Sequence, residues 1–276
     1  MFGTSGVRGE VGVDVTCSLA LDVGRAVAPG RDRVVVGRDA RESGRALVHA
    51  LTAGLTECGV DVVDIGAAAT PTIARAIATE DADAGVAVTA SHNPAPDNGL
   101  KLWTPSGQAF ESAQLEDIER RIAADDPPLV PWDGHGTRTR RTGATETHCR
   151  ALVAAGRRRA ADGDAPLDGL HAVVDVGNGM GTVTADALYE LGATVETLNS
   201  HPDGRFPARP SEPTADTCAG LVEYVDARAA DLGIAHDGDA DRMMAVDDTG
   251  RFVSGDALLA VFGLEQAGAG DQIAAP

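Results

Sequence analysis

The sequence predicts an α/β protein built as two successive units. Short β-branched runs alternate with helical stretches along most of the 276 residues, the pattern of a layered α/β structure. The alternation stops over 125–143, where Asp125-Asp126-Pro127-Pro128, Pro131 and a run of Gly, Thr and Arg read as a linker. Beyond it the same order returns: a Val-rich strand, a Gly-containing turn, a helix and a strand. That repetition points to a duplicated unit.

Residues 33–37 (Arg-Val-Val-Val-Gly) form a β-branched run that reads as a buried strand. A helix over 44–58 follows, with Leu47, Ala50, Leu51, Gly54 and Leu55 on one face. Residues 60–65 give the next strand. Thr70-Pro71 opens a helix to about residue 78, with proline in the first turn, where its missing N–H costs nothing. Residues 84–89 are a third strand that delivers Ser91 to the loop beyond it. A return strand at 100–103 and a helix at 114–123 complete the first unit. In the second unit a helix spans 145–161. Strand 171–176, helix 182–191, strand 194–198, a Pro-rich loop, helix 216–231 and strand 233–236 follow. Residues 243–247 pair with the segment near Phe252 across the turn Asp248-Thr249-Gly250. Gly255-Asp256 caps an apolar helix to about Glu265, and 272–276 read as a strand beginning a third unit.

Composition narrows the function. A net charge of −19 opposes binding to nucleic acid, since a polyanion needs a basic face. An aromatic share of 3% leaves few stacking platforms. No apolar run approaches the roughly 20 residues of a membrane span. The N-terminus lacks the basic-then-apolar pattern of a signal peptide. Cys17, Cys58, Cys149 and Cys218 are scattered without a CxxC pair, so neither a zinc site nor a disulfide framework is expected. The expectation is a soluble cytoplasmic protein with the acidic surface used by salt-loving organisms. Lys101 is the only lysine, and Arg serves everywhere else.

Two segments carry the chemistry. Thr89-Ala90-Ser91-His92-Asn93-Pro94 places a serine outside the carboxyl end of an apolar strand, where open α/β sheets bind ligands. His92 and Asn93 could donate hydrogen bonds to a phosphate on Ser91. The same residues also read as a polar turn. No G-x-S-x-G elbow surrounds Ser91, which argues against a serine hydrolase. Asp237-Gly238-Asp239-Ala240-Asp241-Arg242 offers three carboxylates at alternate positions. In an extended segment they point the same way and suit Mg²⁺. An EF-hand needs Gly where Arg242 stands, and an arginine beside three aspartates suits phosphate held next to a metal. The competing reading is an acidic turn on an acidic protein.

Lys101 follows Ser91 closely in Asp97-Asn98-Gly99-Leu100-Lys101. Unlike arginine, lysine can give up its proton, so a general acid/base role would explain its survival. The alternative is one unreplaced surface lysine. Thr4-Ser5-Gly6-Val7-Arg8-Gly9 sets a guanidinium between glycines, open to a phosphate. Gly177-Asn178-Gly179-Met180-Gly181 raises a dinucleotide-binding module, with Glu196 near the ribose-binding distance. Thr182 stands where that fingerprint needs glycine, so a helix-entry turn is the better reading.

Taken in order, residues 2–9, 89–94 with 98–101, and 237–242 resemble the three signatures of the α-D-phosphohexomutase superfamily. This group includes phosphoglucomutase/phosphomannomutase and phosphoglucosamine mutase. The resemblance implies tandem mixed α/β/α sandwich domains: 1–140 as domain I with the phosphoserine loop, 141–250 as domain II with the metal loop, and 251–276 as the start of domain III. It implies a Mg²⁺-dependent phosphoprotein isomerase of carbohydrate metabolism that interconverts hexose 1- and 6-phosphates through a hexose bisphosphate. Ser91 would be the phosphoserine and would bind Mg²⁺ together with Asp237, Asp239 and Asp241. Arg8, Lys101 and Arg242 would surround the transferring phosphoryl group, with His92 on phosphate or substrate. Thr4-Ser5-Gly6 and Ala240 lean towards the phosphoglucomutase/phosphomannomutase branch over the glucosamine branch. The resemblance covers only the first half of the usual family protein. The sugar- and phosphate-binding loops of domains III and IV are therefore missing, and a C-terminal half is an expected partner. A non-catalytic remnant binding metal and a partner chain is the alternative.

Overall fold

The computed structural model describes residues 2–3, 6–160 and 165–268. In the first unit the order is β1 (Val7–Glu10), α1 (Cys17–Val27), β2 (Arg33–Arg38), α2 (Gly44–Thr56), β3 (Asp61–Ala67), α3 (Thr70–Thr79), β4 (Ala84–Val88), β5 (Asp97–Trp103), α4 (Ser112–Ala124) and β6 (Arg138–Arg140). The second unit contains α5 (Ala144–Arg159), β7 (His171–Asp175), α6 (Thr182–Glu190), β8 (Thr194–Leu198), α7 (Ala219–Arg228), β9 (Leu232–His236), β10 (Met243–Asp247) and β11 (Phe252–Val253), followed by α8 (Gly255–Gln266).

Among the described residues the strands form two sheets, ordered β1-β5-β4-β2-β3-β6 and β11-β10-β9-β7-β8. The core of each is the same. A first strand (β2 or β7) is flanked in parallel by the second (β3 or β8) and the third (β4 or β9). A fourth strand, β5 or β10, returns antiparallel beside the third. The duplication expected from the sequence is thus present as topology. Val34, Val35 and Val36 of β2 are all fully buried, as continuous apolar runs are when helices cover both faces of a parallel sheet. Val34 and Val36 pack with α1 and α2, and Val35 packs with Ile73 and Ile77 of α3. The α1–α2 contact depends on two glycines. A Cβ at Gly24 would lie 2.4 Å from the Leu51 carbonyl, and one at Gly54 2.1 Å from the Leu21 carbonyl.

The structure corrects several sequence expectations. Residues 7–27, assigned no element, contain β1 and α1, and Thr16 caps α1 by accepting from the Leu19 amide at 3.1 Å. The expected linker carries β6, an edge strand parallel to β3. Its Arg-Thr-Arg sequence has no apolar alternation. It is held by polar bonds, with Arg138 and Arg140 paired to the buried Asp64 carboxylate and the Thr137 amide 2.7 Å from Asp61 Oδ1. Helix α7 is shorter than 216–231 at both ends. Ser254 caps α8, its hydroxyl accepting from the Ala257 amide at 3.4 Å. The strand expected at 272–276 lies outside the described residues, as do Thr4 and Ser5. All four cysteines are free. Among the described residues no helix is long and apolar enough to cross a membrane.

Candidate active site at the junction of two loops

The loop after β4 and the loop after β9 occupy the same place in their respective units, beyond the carboxyl end of the third strand, and they meet. Ser91 and the first two aspartates are buried at their contact. Ser91 Oγ donates to Asp237 Oδ2 at 2.6 Å, with Asp241 Oδ1 at 3.4 Å and His92 Nδ1 at 3.5 Å. Asp237, Asp239 and Asp241 each offer an oxygen within 4.8 Å of the others. They converge by a different route from the expected extended segment. The chain turns, with the Ala240 amide on the Asp237 carbonyl at 3.1 Å and Ala240 in the left-handed region at φ +55°. His236 closes the turn. Its Nδ1 meets the Arg242 carbonyl at 2.9 Å and so carries the proton, leaving Nε2 to accept from the Thr184 hydroxyl at 2.8 Å.

Ser91 is itself left-handed, at φ +50°, a conformation that costs a non-glycine residue about 1–3 kcal/mol and persists only where its surroundings impose it. Those surroundings are specific. The Ser91 amide donates to Thr89 Oγ1 at 2.8 Å. Its carbonyl accepts from Arg41 at 2.9 Å and from the Ser211 hydroxyl at 2.8 Å. Ser211 Oγ in turn accepts from the Gly238 amide at 3.0 Å, so one side chain ties the two loops together. Arg41 is fully buried. Its guanidinium donates to Asp39 and to the carbonyls of Ser91, Asn93, Pro94 and Asp97. On its other side lies the Phe206 ring of the second unit, 5.0 Å away.

Of the cationic residues picked from the sequence, Lys101 reaches this contact through its side chain. Lys101 Nζ lies 3.3 Å from Asp241 Oδ2 and 4.5 Å from the Trp103 ring. Arg8 is opposite Gly99 in the β1–β5 ladder, and its Nε is buried without a partner. The Arg242 amide donates to Asp237 Oδ1 at 3.1 Å. Burial lowers the His92 pKa, and the positive charges of Arg242 and Arg8 lower it further, against the pull of Glu212 and Asp241.

The acidic trio fits a divalent cation. Burial raises the Asp237 pKa to about 8, helped by the charges of Asp239 and Asp241. Asp239 Oδ1 is buried with no hydrogen-bond donor. Two buried carboxylates side by side, with a third at the surface, call for a proton or a cation between them, and hard oxygen donors suit Mg²⁺.

The dinucleotide alternative is not supported. The turn at Gly177 is filled by Arg209, whose Nη2 lies 2.5 Å from where a Gly177 Cβ would be. Arg209 is bound instead to Asp175 at 2.6 Å and to the His236 carbonyl at 2.7 Å. The Glu196 carboxylate is taken up by Arg228, Tyr224 and His171, and the Arg228 bond leads in holding its pKa down to about 2. The sequence reading missed Arg41, Asp39, Thr70 and Ser211. A run Gly-Arg-Asp-Ala-Arg at a strand end (37–41) was the available signal for the first two.

A serine hydroxyl set into a carboxylate trio beside Lys101, at the carboxyl ends of two like-built sheets, has the donors to hold a phosphoryl group next to a cation. Comparison with known proteins gives the family. The description "Phosphoglucomutase/phosphomannomutase, alpha/beta/alpha domain I" matches residues 1–128 and its domain II counterpart matches 156–250. The chain belongs to the phosphoglucomutase/phosphomannomutase family. Relatives named "Probable phosphoglucosamine mutase" include one from Methanosarcina acetivorans, 46% identical over 97% of this chain and 59% of its own length. Another, from Thermococcus gammatolerans, is 44% identical over 94% of this chain and 56% of its own length. A crystal structure of a phosphoglucomutase/phosphomannomutase family protein from Burkholderia thailandensis superposes with a TM-score of 0.80 at 30% identity, covering 96% of this chain and 59% of that one. The chain thus spans less than two thirds of the length of these relatives.

Proposed function

We propose that this chain supplies the phosphoserine and Mg²⁺ half of a phosphohexomutase, an intramolecular phosphotransferase acting on hexose phosphates. Residues 1–140 serve as the carrier domain, 141–250 as the cation domain and 251–276 as the start of a third. The observation that carries this reading is the 2.6 Å contact between Ser91 Oγ and Asp237 within the carboxylate trio. Phosphate on Ser91 would sit between the trio and the basic ring of Arg8, His92, Lys101 and Arg242. In transfer the P–O bond to Ser91 breaks as a bond forms to a hydroxyl of a hexose monophosphate, and that hydroxyl's proton passes to the released Ser91 oxygen, with Lys101 as the acid/base that relays it. The resulting bisphosphate returns its other phosphoryl group to Ser91. Mg²⁺ held by Asp237, Asp239 and Asp241 would neutralise charge on the moving group. The remaining work is positioning and charge stabilisation.

For the sugar, the relatives' name favours a glucosamine phosphate, whereas the sequence Thr4-Ser5-Gly6 and Ala240 lean towards glucose or mannose phosphates. Parallel assays with the three sugars separate these. A second reading, a remnant that binds metal and a partner chain without turnover, is favoured by α8, which buries none of its residues and leaves Leu264 82% exposed.

The test is intact-mass measurement before and after incubation with glucose 1,6-bisphosphate and Mg²⁺. Gain of one phosphoryl group, lost in Ser91→Ala, is the expected result. No gain on folded protein, with Mg²⁺ still bound, supports the remnant instead.

A further inference from the structure

The carboxylate of Asp239 belongs to the second unit, yet the first unit holds it. Helix α3 begins without a capping side chain, because its N-cap is Ala69. A helix N-terminus leaves amides that need an outside acceptor. Here the Thr70 amide donates to the Asp239 carbonyl at 2.8 Å. The Thr70 hydroxyl donates to Asp239 Oδ2 at 2.6 Å. Thr89 Oγ1 also approaches that oxygen, at 3.2 Å. A hydroxyl has one proton, however, and Thr89 lies closer to Asp39 Oδ2, at 2.8 Å. Thr70 is therefore the unshared donor to Asp239. Its bond occupies Oδ2 and leaves Oδ1 as the buried oxygen without a partner.

We infer that Thr70 is a positioning residue for the cation site: it fixes the Asp239 carboxylate across the junction of the two units, so that Oδ1 is presented as a ligand. The inference rests on the cation reading above. Residues that orient metal-binding carboxylates typically change metal affinity when removed, with little change in fold. Thr70→Val keeps the shape and the backbone amide and removes only the hydroxyl.

The experiment measures Mn²⁺ binding by calorimetry on the metal-free chain, with equal Ser91 phosphorylation in every sample checked by intact mass. Four proteins are compared: wild type, Thr70→Val, Thr70→Ser and Thr72→Val. Thr72 sits on the same helix, and its hydroxyl meets His148 Nδ1 of the second unit at 2.8 Å without touching Asp239. The expected result is a 10- to 100-fold weaker affinity in Thr70→Val, with affinity near wild type in Thr70→Ser and Thr72→Val. Wild-type affinity in Thr70→Val overturns the inference while leaving the cation site standing. Equal weakening in Thr70→Val and Thr72→Val also overturns it, because the effect is then general loosening of the junction. Absence of Mn²⁺ binding by the wild type removes the cation reading, and this inference falls with it.

Discussion

Replacing Arg41 by methionine is the most direct test of how the serine loop is built. The guanidinium is completely buried and every donor is used: Asp39 Oδ2 at 3.0 Å, and the carbonyls of Ser91, Asn93, Pro94 and Asp97 between 2.5 and 2.9 Å. Methionine fills part of the volume and donates nothing. Removing one member of a buried ion pair costs about 3–5 kcal/mol, because the other charge is stranded. Four carbonyls also lose a charged donor, so a loss of at least about 3 kcal/mol is expected from a typical total of about 5–15. The assay is urea unfolding of the first unit, read as a midpoint shift at constant slope. The loss has a predictable pH dependence. Burial raises the Asp39 pKa to about 6, against the pull of Arg41. A carboxyl whose folded pKa exceeds its unfolded value stabilises the fold at low pH, and that stability is lost as pH rises through the folded pKa. Without Arg41 the folded pKa climbs further, so the deficit of Arg41→Met should be larger at pH 8 than at pH 5. Asp39→Asn in the same background should recover part of it. A deficit below about 0.5 kcal/mol, the range of ordinary surface changes, would refute the idea that Arg41 holds the loop.

The other expectations are simpler. Asp237→Asn removes one of three crowded carboxylates. Because the folded pKa of Asp237 is raised to about 8, the variant should raise the melting temperature of metal-free protein above that pH, where the charge is otherwise forced on, and should abolish the melting shift produced by Mg²⁺, both read by scanning calorimetry. Burial lowers the His148 pKa, with Arg75 adding to the shift. Its contribution to stability is therefore complete above the unfolded value of about 6.5 and is lost as pH falls below it. His148→Gln should flatten the melting temperature across that acid window, and an unchanged profile would count against the assignment.

Much of the fold was legible because apolar residues dictate it. Val34 to Val36, and Ala84 to Val88, are buried on both faces and read as strands without help. The elements that escaped are those held by polar bonds. Strand β6 exists because Arg138 and Arg140 reach Asp64, a pairing between residues more than 70 positions apart that no local pattern reveals. The site divides similarly. Ser91, Lys101 and the three aspartates stood out as unusual local groupings, and the structure brings them together. The convergence of the carboxylates, in contrast, comes from a left-handed Ala240, which spacing alone assigns to an extended segment. Thr70 and Ser211 were invisible because each acts through a partner far along the chain, whereas Arg41 had a local signal at 37–41 but not for its role, which rests on carbonyls at 91–97.

The contacts that join the two units have a further consequence. Ser211 to the Ser91 carbonyl, Thr70 to Asp239 and Arg41 to the Phe206 ring all lie at the candidate site. The two units are thus fastened together at the candidate site. Drawing them apart would separate Ser91 from Asp237 and release Asp239 from Thr70, so on the proposed function a ligand reaches the pair while this floor stays intact.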